Sequence, residues 1–505
     1  MPSFVGSIDQ GTTSSRFLIF DEHGGLITSH QLEFDQHYPQ PGWIEQDPKD
    51  ILQSVTTCIQ ECTKKFEAKG FSVKDVKAIG ITNQRETTLV WDKVTGKPLY
   101  NAIVWADTRT HNLVHRLINN SEGGIDALKK ICGLPLTTYF SAVKLIWMLE
   151  NVPAVKEAHE NGTALFGTVD TWLIWNLTGG LDGGLHITDV TNASRTMFMD
   201  IHKLEWSDES LEFFGVKSSI LPRIVSSAEV YGTVKISSPL QGIPVAGILG
   251  DQQAALVGQK CFNRGDAKNT YGTGCFMLFN TGSDVVISKS GLLTTVGYKF
   301  GKQATVYALE GSIAVAGSAV KWVRDNLGII NDTPEINVLA SNVEDTGGVY
   351  FVTAFSGLFA PYWRDDARGC IVGITQYTNK NHIARATLEA ACFQTRAILD
   401  AMNKDSGHPI ASLKVDGGLS NSDICMQIQA DVLGIEVDRP AMRETTALGA
   451  AIAAGHAVGI WKSLSELDSV NAENRTVFSP KFDKEQRETK YKEWEKAVEK
   501  SLNWV

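Results

Sequence analysis

Two turns constrain this chain more than anything else in it. "FVGSIDQGTTSSRFLIFD" places Asp9-Gln10-Gly11-Thr12-Thr13-Ser14-Ser15-Arg16 between two apolar runs. In the second half, "AKNTYGTGCFMLFNTG" places another Gly/Thr turn between two more. Apolar runs of strand length, bounded by glycine and hydroxyl residues, read as β-hairpins. Each hairpin opens an α/β stretch. After the first come "SHQLEF" as a strand, "DPKDILQSVTTCIQECTKKF" as a helix behind an Asp47-Pro48 start, and "VKAIGITNQ" as a buried strand. After the second come "GLLTTVGYKF" and "ATVYALEGSI" as strands and "AVAGSAVKWVRDNL" as a helix. The likeness is a weak repeat at domain scale. It divides the 505 residues into an expected N-terminal domain, 1–258, and a C-terminal domain, 259–505. The fold class expected is α/β.

The first turn combines an acid, a glycine, hydroxyls and a permanent cation. Successive turn N–H groups form an anion nest, glycine admits close approach, and arginine adds a charge. That set suits a polyphosphate, with Asp9 placed to orient Mg²⁺; a plain polar hairpin loop uses the same residues. Thr273, between two glycines of "YGTGCF", suits a second phosphate contact or a simple turn. In "VDGGLSNSDICMQ", Gly417 and Gly418 follow a strand, where ligands of α/β sheets sit, or merely make the turn before a helix capped by Ser422 or Asp423. Asp251 in "GILGDQQAAL" stands at a strand-to-helix junction, as a proton acceptor or a helix cap. Arg85-Glu86 follow a buried strand, as a bracket for a polyol or a surface ion pair.

Other signals are weaker or exclude functions. The chain lacks the GxxxxGK[ST] phosphate loop and the HRD and DFG strings of protein kinases. His111 and His115 have metal-pair spacing but no HExxH string or third ligand, so they read as exposed helix histidines. The eight cysteines form no CxxC pair and read as free thiols; Cys58 and Cys62 share one helix face. Reduced thiols and the lack of a cationic leader point to a cytoplasmic protein. A net charge of −10 without a Lys/Arg block argues against nucleic acid or an anionic membrane as partner. The longest apolar tract, "TALGAAIAAGHAVGIW", is too short to span a bilayer. The charged C-terminal stretch "SPKFDKEQRETKYKEWEKAVEKSLNW" reads as a solvated helix.

Taken in order, "DQGTTSSR", "GITNQRETT", "AIVWADTRT", "TTYFSAVKLIW", "GDQQAAL", "NTYGTGCFMLFNTG", "LEGSIAVAGSAVKW" and "VDGGLSNSDICMQ" resemble the FGGY carbohydrate kinase family over nearly the whole chain. The combination of "NQRET", "YFS" and "GDQQAAL" is similar to its glycerol-phosphorylating members. The resemblance implies two actin-like, ribonuclease-H-like domains flanking a deep ATP cleft. It implies ATP-dependent transfer to glycerol, giving sn-glycerol 3-phosphate, with Asp251 as general base. Thr12, Thr13, Ser14, Arg16 and Thr273 would contact nucleotide phosphates, and Asp9 would hold Mg²⁺. Gly317, Gly418 and Ser422 would line the nucleoside pocket. Arg85, Glu86, Tyr139, Asp251 and Gln252 would bind the glycerol hydroxyls, with Trp105 and Phe276 covering its carbons. A homodimer is implied as well.

The chain departs from bacterial members at three places. Lys321 replaces a glutamine near the nucleotide, and Ser422 an asparagine near the base. "KISSPLQGIP" lacks their Gly-Gly-Arg-Thr loop, which implies no inhibition by fructose 1,6-bisphosphate. The rival expectations are a kinase for another polyol or sugar of the family and an actin-like ATPase switch.

Overall fold

The computed structural model describes residues 3–505. Its first domain is built on strands β1 (Phe4–Gln10), β2 (Ser14–Asp21), β3 (Leu26–Glu33), β4 (Val76–Asn83), β5 (Ala228–Thr233) and β6 (Pro244–Gly250), in the order β5-β6-β4-β1-β2-β3. The hairpin β1–β2 is antiparallel and sets Asp9 opposite Arg16. β4 runs parallel to β1, and β6 parallel to β4, so Gln10, Asn83 and Gly250 stand abreast. The segments that carry Asp9, Arg85 and Asp251 therefore leave the sheet along one edge, where ligands of open α/β sheets bind.

The second domain repeats the plan with β7 (Ala267–Tyr271), β8 (Cys275–Gly282), β9 (Leu293–Tyr298), β10 (Val306–Ile313), β11 (Ser412–Asp416), β12 (Glu436–Arg439) and β13 (Thr476–Phe478), ordered β9-β10-β8-β7-β11-β12-β13. Again an antiparallel hairpin, β7–β8, has a parallel neighbour, β11, beside its first strand. The weak repeat in the sequence is thus a repeated sheet.

The helices used below are α1 (Pro48–Ala68), α2 (Ser141–Asn151), α3 (Asp251–Gly258), α4 (Gly317–Asp325), α5 (Lys380–Ser406), α6 (Asp423–Leu433), α7 (Thr445–Ala457) and α8 (Lys484–Lys500). α1 begins as its sequence predicts, with the Asp47 carboxylate accepting from Lys49 N. Its buried face includes Cys58 and Cys62, whose thiols burial pushes up to about 11 and about 12. All eight cysteines are free thiols.

The long apolar tract forms α7. It is apolar all round because it is enclosed: it packs with Val5, Leu18 and Ala78 of the first sheet, and its cluster continues to Leu278 and Ala308 of the second. It crosses α3 at Gly449, where an added Cβ would lie 1.8 Å from the Ala254 carbonyl oxygen, so no larger residue fits without moving a helix. Among the described residues no helix is long and apolar enough to cross a membrane. α8 differs from the solvated helix its charges suggest. Trp494 is fully buried and stacks on Phe393 of α5, with ring centroids 5.4 Å apart, so one face is docked.

Candidate active site

The first turn is shorter than its string of hydroxyls suggests. Gly11 N donates to Ser14 O at 2.9 Å, and β2 already begins at Ser14. Thr12 and Thr13 lie in the turn, half-buried and exposed. Ser14 is buried; its hydroxyl oxygen accepts from Gln31 Nε2 at 3.2 Å, leaving its own O–H to donate. Ser15 bonds Ser54 and is structural. A glutamine net braces the turn from behind. Gln84 Nε2 donates to the Gly11 carbonyl at 3.3 Å and to Gln46 Oε1 at 2.8 Å, and Gln46 Nε2 donates to the Thr12 carbonyl at 2.7 Å. Arg16 reaches Asp9 at 3.5 Å and Glu444 at 2.6 Å. Burial lifts the Asp9 carboxyl above its ordinary value, against the pull of Arg16.

Beside this turn lies a pocket with aromatic walls and a charged floor. Trp105, Tyr139 and Phe276 meet edge to face, with centroids 5.6 Å apart for Trp105–Tyr139 and 6.1 Å for Trp105–Phe276. The Trp105 indole N–H donates to the Thr12 hydroxyl at 2.9 Å, tying the aromatic wall to the first turn. Arg85 and Glu86 are both buried, so the surface ion pair is ruled out, and each is held by other residues. Arg85 reaches Asp251 Oδ1 at 3.2 Å and Glu310 at 2.5 Å; Arg195 holds Glu86 at 2.6 Å. Glu86 has φ 60°, a left-handed backbone costing a non-glycine residue about 1–3 kcal/mol. Burial also raises its carboxyl above the usual range, opposed by Arg195 and Arg85.

Asp251 stands at the first turn of α3, where its carboxylate accepts from Gln252 N at 2.7 Å. Its side chain remains 29 % exposed while Arg85 holds one oxygen. Desolvation raises its carboxyl, tempered by Arg85 and Lys268. Gln252 is oriented by Lys268, whose ammonium donates to its Oε1 at 2.5 Å. Burial pushes that ammonium down to about 8.

The opposite wall is almost free of charge. A cleft of about 510 Å³ runs past Thr273, Gly317, Lys321, Asn337, Gly418 and Ser422. Thr273 is exposed, and its carbonyl accepts from Ala316 N at 2.9 Å and Ser318 N at 3.1 Å. Gly317 makes that seam possible: a Cβ there would lie 2.5 Å from the Gly272 carbonyl oxygen. A Cβ at Gly418 would meet nothing within 4 Å, so that backbone is open. Ser422 caps α6 by accepting from Cys425 N at 3.1 Å and donates to Asn337 at 2.5 Å. Of the two readings of this stretch, the cap is present at Ser422, and the same residue also lines the cleft.

Residues 4–258 match the model of the FGGY family of carbohydrate kinases, N-terminal domain, and residues 267–458 match that of its C-terminal domain. The chain belongs to the FGGY family of carbohydrate kinases. It is 57% identical over 505 residues to a glycerol kinase of Renibacterium salmoninarum, covering 100% of this chain and 99% of that one. It is 56% identical over 502 residues to a glycerol kinase of Clavibacter michiganensis, covering 99% and 98%. Among solved structures it is similar to Plasmodium falciparum glycerol kinase with ADP, with a TM-score of 0.92, 42% identity and coverage of 99% and 98%.

This FGGY kinase brings its sequence-predicted residues into two adjoining groups. Arg85, Glu86, Tyr139, Asp251, Gln252, Trp105 and Phe276 cluster around the charged pocket, next to the turn with Asp9, Thr12, Thr13, Ser14 and Arg16. Thr273, Gly317, Gly418 and Ser422 line the cleft of the second wall. His111 and His115 pack ring to ring at 4.4 Å, and no group of three or more potential metal ligands forms among the described residues. Sequence reasoning missed the charges behind the pocket, Lys144, Arg195, Lys268 and Glu310, and Glu444 against Arg16 at the first turn. Lys144 lies fully buried in α2 and donates to the carbonyls of Thr138 at 2.9 Å, Tyr139 at 2.5 Å and Phe140 at 3.3 Å, which fixes the Tyr139 loop. A signal was present. "SAVKLIW" and "YALEGSI" each set one charge inside an apolar run, and a buried charge needs a dedicated partner.

Proposed function

We propose that this chain transfers the γ-phosphoryl group of ATP to a terminal hydroxyl of glycerol, releasing sn-glycerol 3-phosphate and ADP. The observation that carries the reading is the charged pocket itself. It holds a cation, a carboxylate and a tyrosine under aromatic walls, and it opens beside the first turn. Arg85, Glu86, Tyr139 and Gln252 offer donors and acceptors for the hydroxyls of a short polyol, and Trp105 and Phe276 cover its carbons. Asp251, with one carboxylate oxygen held by Arg85, accepts the hydroxyl proton. The freed oxygen attacks the γ-phosphorus in line, and the bond to the β,γ-bridging oxygen breaks. Thr12, Thr13, Ser14 and Arg16 on one side and Thr273 on the other offer donors to the phosphate oxygens. Gly317, Gly418 and Ser422 form the floor for the nucleoside.

The donor set fits Mg²⁺. Asp9 would supply a hard oxygen ligand from the strand that leads into the phosphate turn, and Mg²⁺ bound through one or two carboxylates, water and substrate phosphates needs no protein cage. When bound there it would neutralise charge on the phosphates. An ADP-release assay with and without glycerol, with the product identified, tests the reading. Glycerol-dependent ADP release with glycerol 3-phosphate as product is expected. ATP turnover indifferent to glycerol, or xylulose or gluconate outcompeting it, would overturn it.

A further inference from the structure

The residues offered to glycerol all leave the first domain except Phe276, yet the charge that orders them comes from the second. Glu310 lies in the middle of β10, paired with Leu278 of β8 and Leu293 of β9. It is fully buried. Its two oxygens take both terminal nitrogens of Arg85, at 2.5 Å and 3.0 Å, and Oε1 also accepts from Arg195 Nη2 at 3.1 Å. Arg195 in turn grips Glu86 through Nε at 2.6 Å. One carboxylate of the second domain thus holds two arginines of the first. One arginine carries Asp251 and the other carries Glu86. Burial alone would lift the Glu310 carboxyl, but Arg195 and Arg85 outweigh it and pull it down to about 2, so it stays ionised throughout the working range. Lys268 of β7 makes a second tie of the same kind, to Gln252.

We propose that Glu310 is a positioning residue for glycerol: reaching across from the second domain, it sets the Arg85 and Arg195 guanidiniums, and through Arg195 the Glu86 carboxylate, in the geometry that receives the hydroxyls. The inference rests on the reading of the pocket as a glycerol site. Its physical basis is that Arg85 has two acidic partners. Bidentate contact with Glu310 takes one N–H from each terminal nitrogen and turns Nε toward Asp251, which leaves the second Nη2 N–H for a substrate hydroxyl. Without that carboxylate the guanidinium is free to turn onto Asp251, which removes a hydroxyl partner and burdens the base together. Arg195 also loses one of its two anchors, so Glu86 is held less firmly. The nucleotide cleft touches none of these groups.

The test compares E310Q and E310D with wild type in steady-state assays varying glycerol and ATP separately, alongside thermal melting with glycerol or ADP added. For E310Q the KM for glycerol rises about tenfold or more, as loss of a charge-assisted buried contact implies. The KM for ATP stays within about twofold, the melting shift from ADP survives and the shift from glycerol shrinks. E310D keeps the charge and recovers part of the glycerol affinity. Wild-type glycerol KM in E310Q, or glycerol and ATP constants worsening together with no rescue by E310D, overturns the proposal. If E310Q fails to fold, E310D decides alone: a raised glycerol KM at constant ATP KM supports positioning, and wild-type constants overturn it. A wild-type enzyme indifferent to glycerol sinks the parent reading and this one with it. A glycerol-phosphorylating wild type with an unaffected E310Q sinks this one only.

Discussion

The two walls of the cleft are built on the same hairpin plan and differ in charge. The first presents Asp9, Arg16, Arg85, Glu86 and Asp251, all of them buried or half-buried. The second presents Thr273, Gly317, Gly418 and Ser422, with Lys321 the one charged lining residue among those described. The first turn is braced by glutamine side chains, the second by backbone N–H groups on the Thr273 carbonyl. Under the proposed function the contrast gives each wall different work. Charges held at fixed distances suit a reaction in which negative charge moves, whereas open backbone and small residues suit the flat surfaces of a nucleoside.

Substitutions on each wall should therefore damage different constants. The largest effect is expected for Asp251→Asn. Loss of a general base lowers kcat by about 100- to 10,000-fold, while ADP binding by calorimetry stays at the wild-type value; near-normal turnover would remove Asp251 as the base. The same residue sets a pH dependence. It must be deprotonated to act, and burial raises its carboxyl, so kcat/KM should fall on the acid side at a pH above that of an ordinary aspartate. Next comes Arg16→Gln, which removes a charge-assisted donor at the first turn. A loss of about 10- to 100-fold in kcat/KM is expected, with the glycerol-induced melting shift retained. Smaller still is Gly317→Ala on the neutral wall. Its Cβ would press on the Gly272 carbonyl, and overpacking at the lower end of the usual range, about 1.4 kcal/mol, corresponds to a rise of about tenfold in the KM for ATP at constant KM for glycerol. The smallest kinetic change is expected for Ser422→Ala, which removes the cap of α6. A stability loss of about 0.5–2 kcal/mol by denaturant titration, with kcat within about twofold, would separate capping from binding. Should Gly317→Ala disturb glycerol, or Arg16→Gln leave the phosphates untouched, the division between the walls would fail.

Legibility followed the range of the interaction. The two hairpins, the start of α1, the strand-to-helix junction at Asp251 and the Gly-Gly turn before α6 were all readable, because turns, caps and period-two apolar runs are local chemistry. The docking of α8 by Trp494 was not, since its charges outnumber the apolar residues that pack. The pocket was half readable. Residues that stand in turns announced themselves, whereas Glu310, Lys268 and Lys144 stand inside strands and a helix, where the sequence shows a charge but not its partner.

By itself, the sequence determined the repeated α/β plan, the two Gly/Thr turns, the kinase family and the residue types available for chemistry. Only the tertiary structure decided which charges meet. Arg85 and Glu86 are neighbours in the chain, yet they are paired through Arg195 and through Glu310, more than a hundred residues away in each case. Parallel strands bring Asp9, Arg85 and Asp251 to one edge, and burial then requires each charge to find a counter-charge on whichever element packs against it. That requirement is met in three dimensions, between domains, where no local pattern records it.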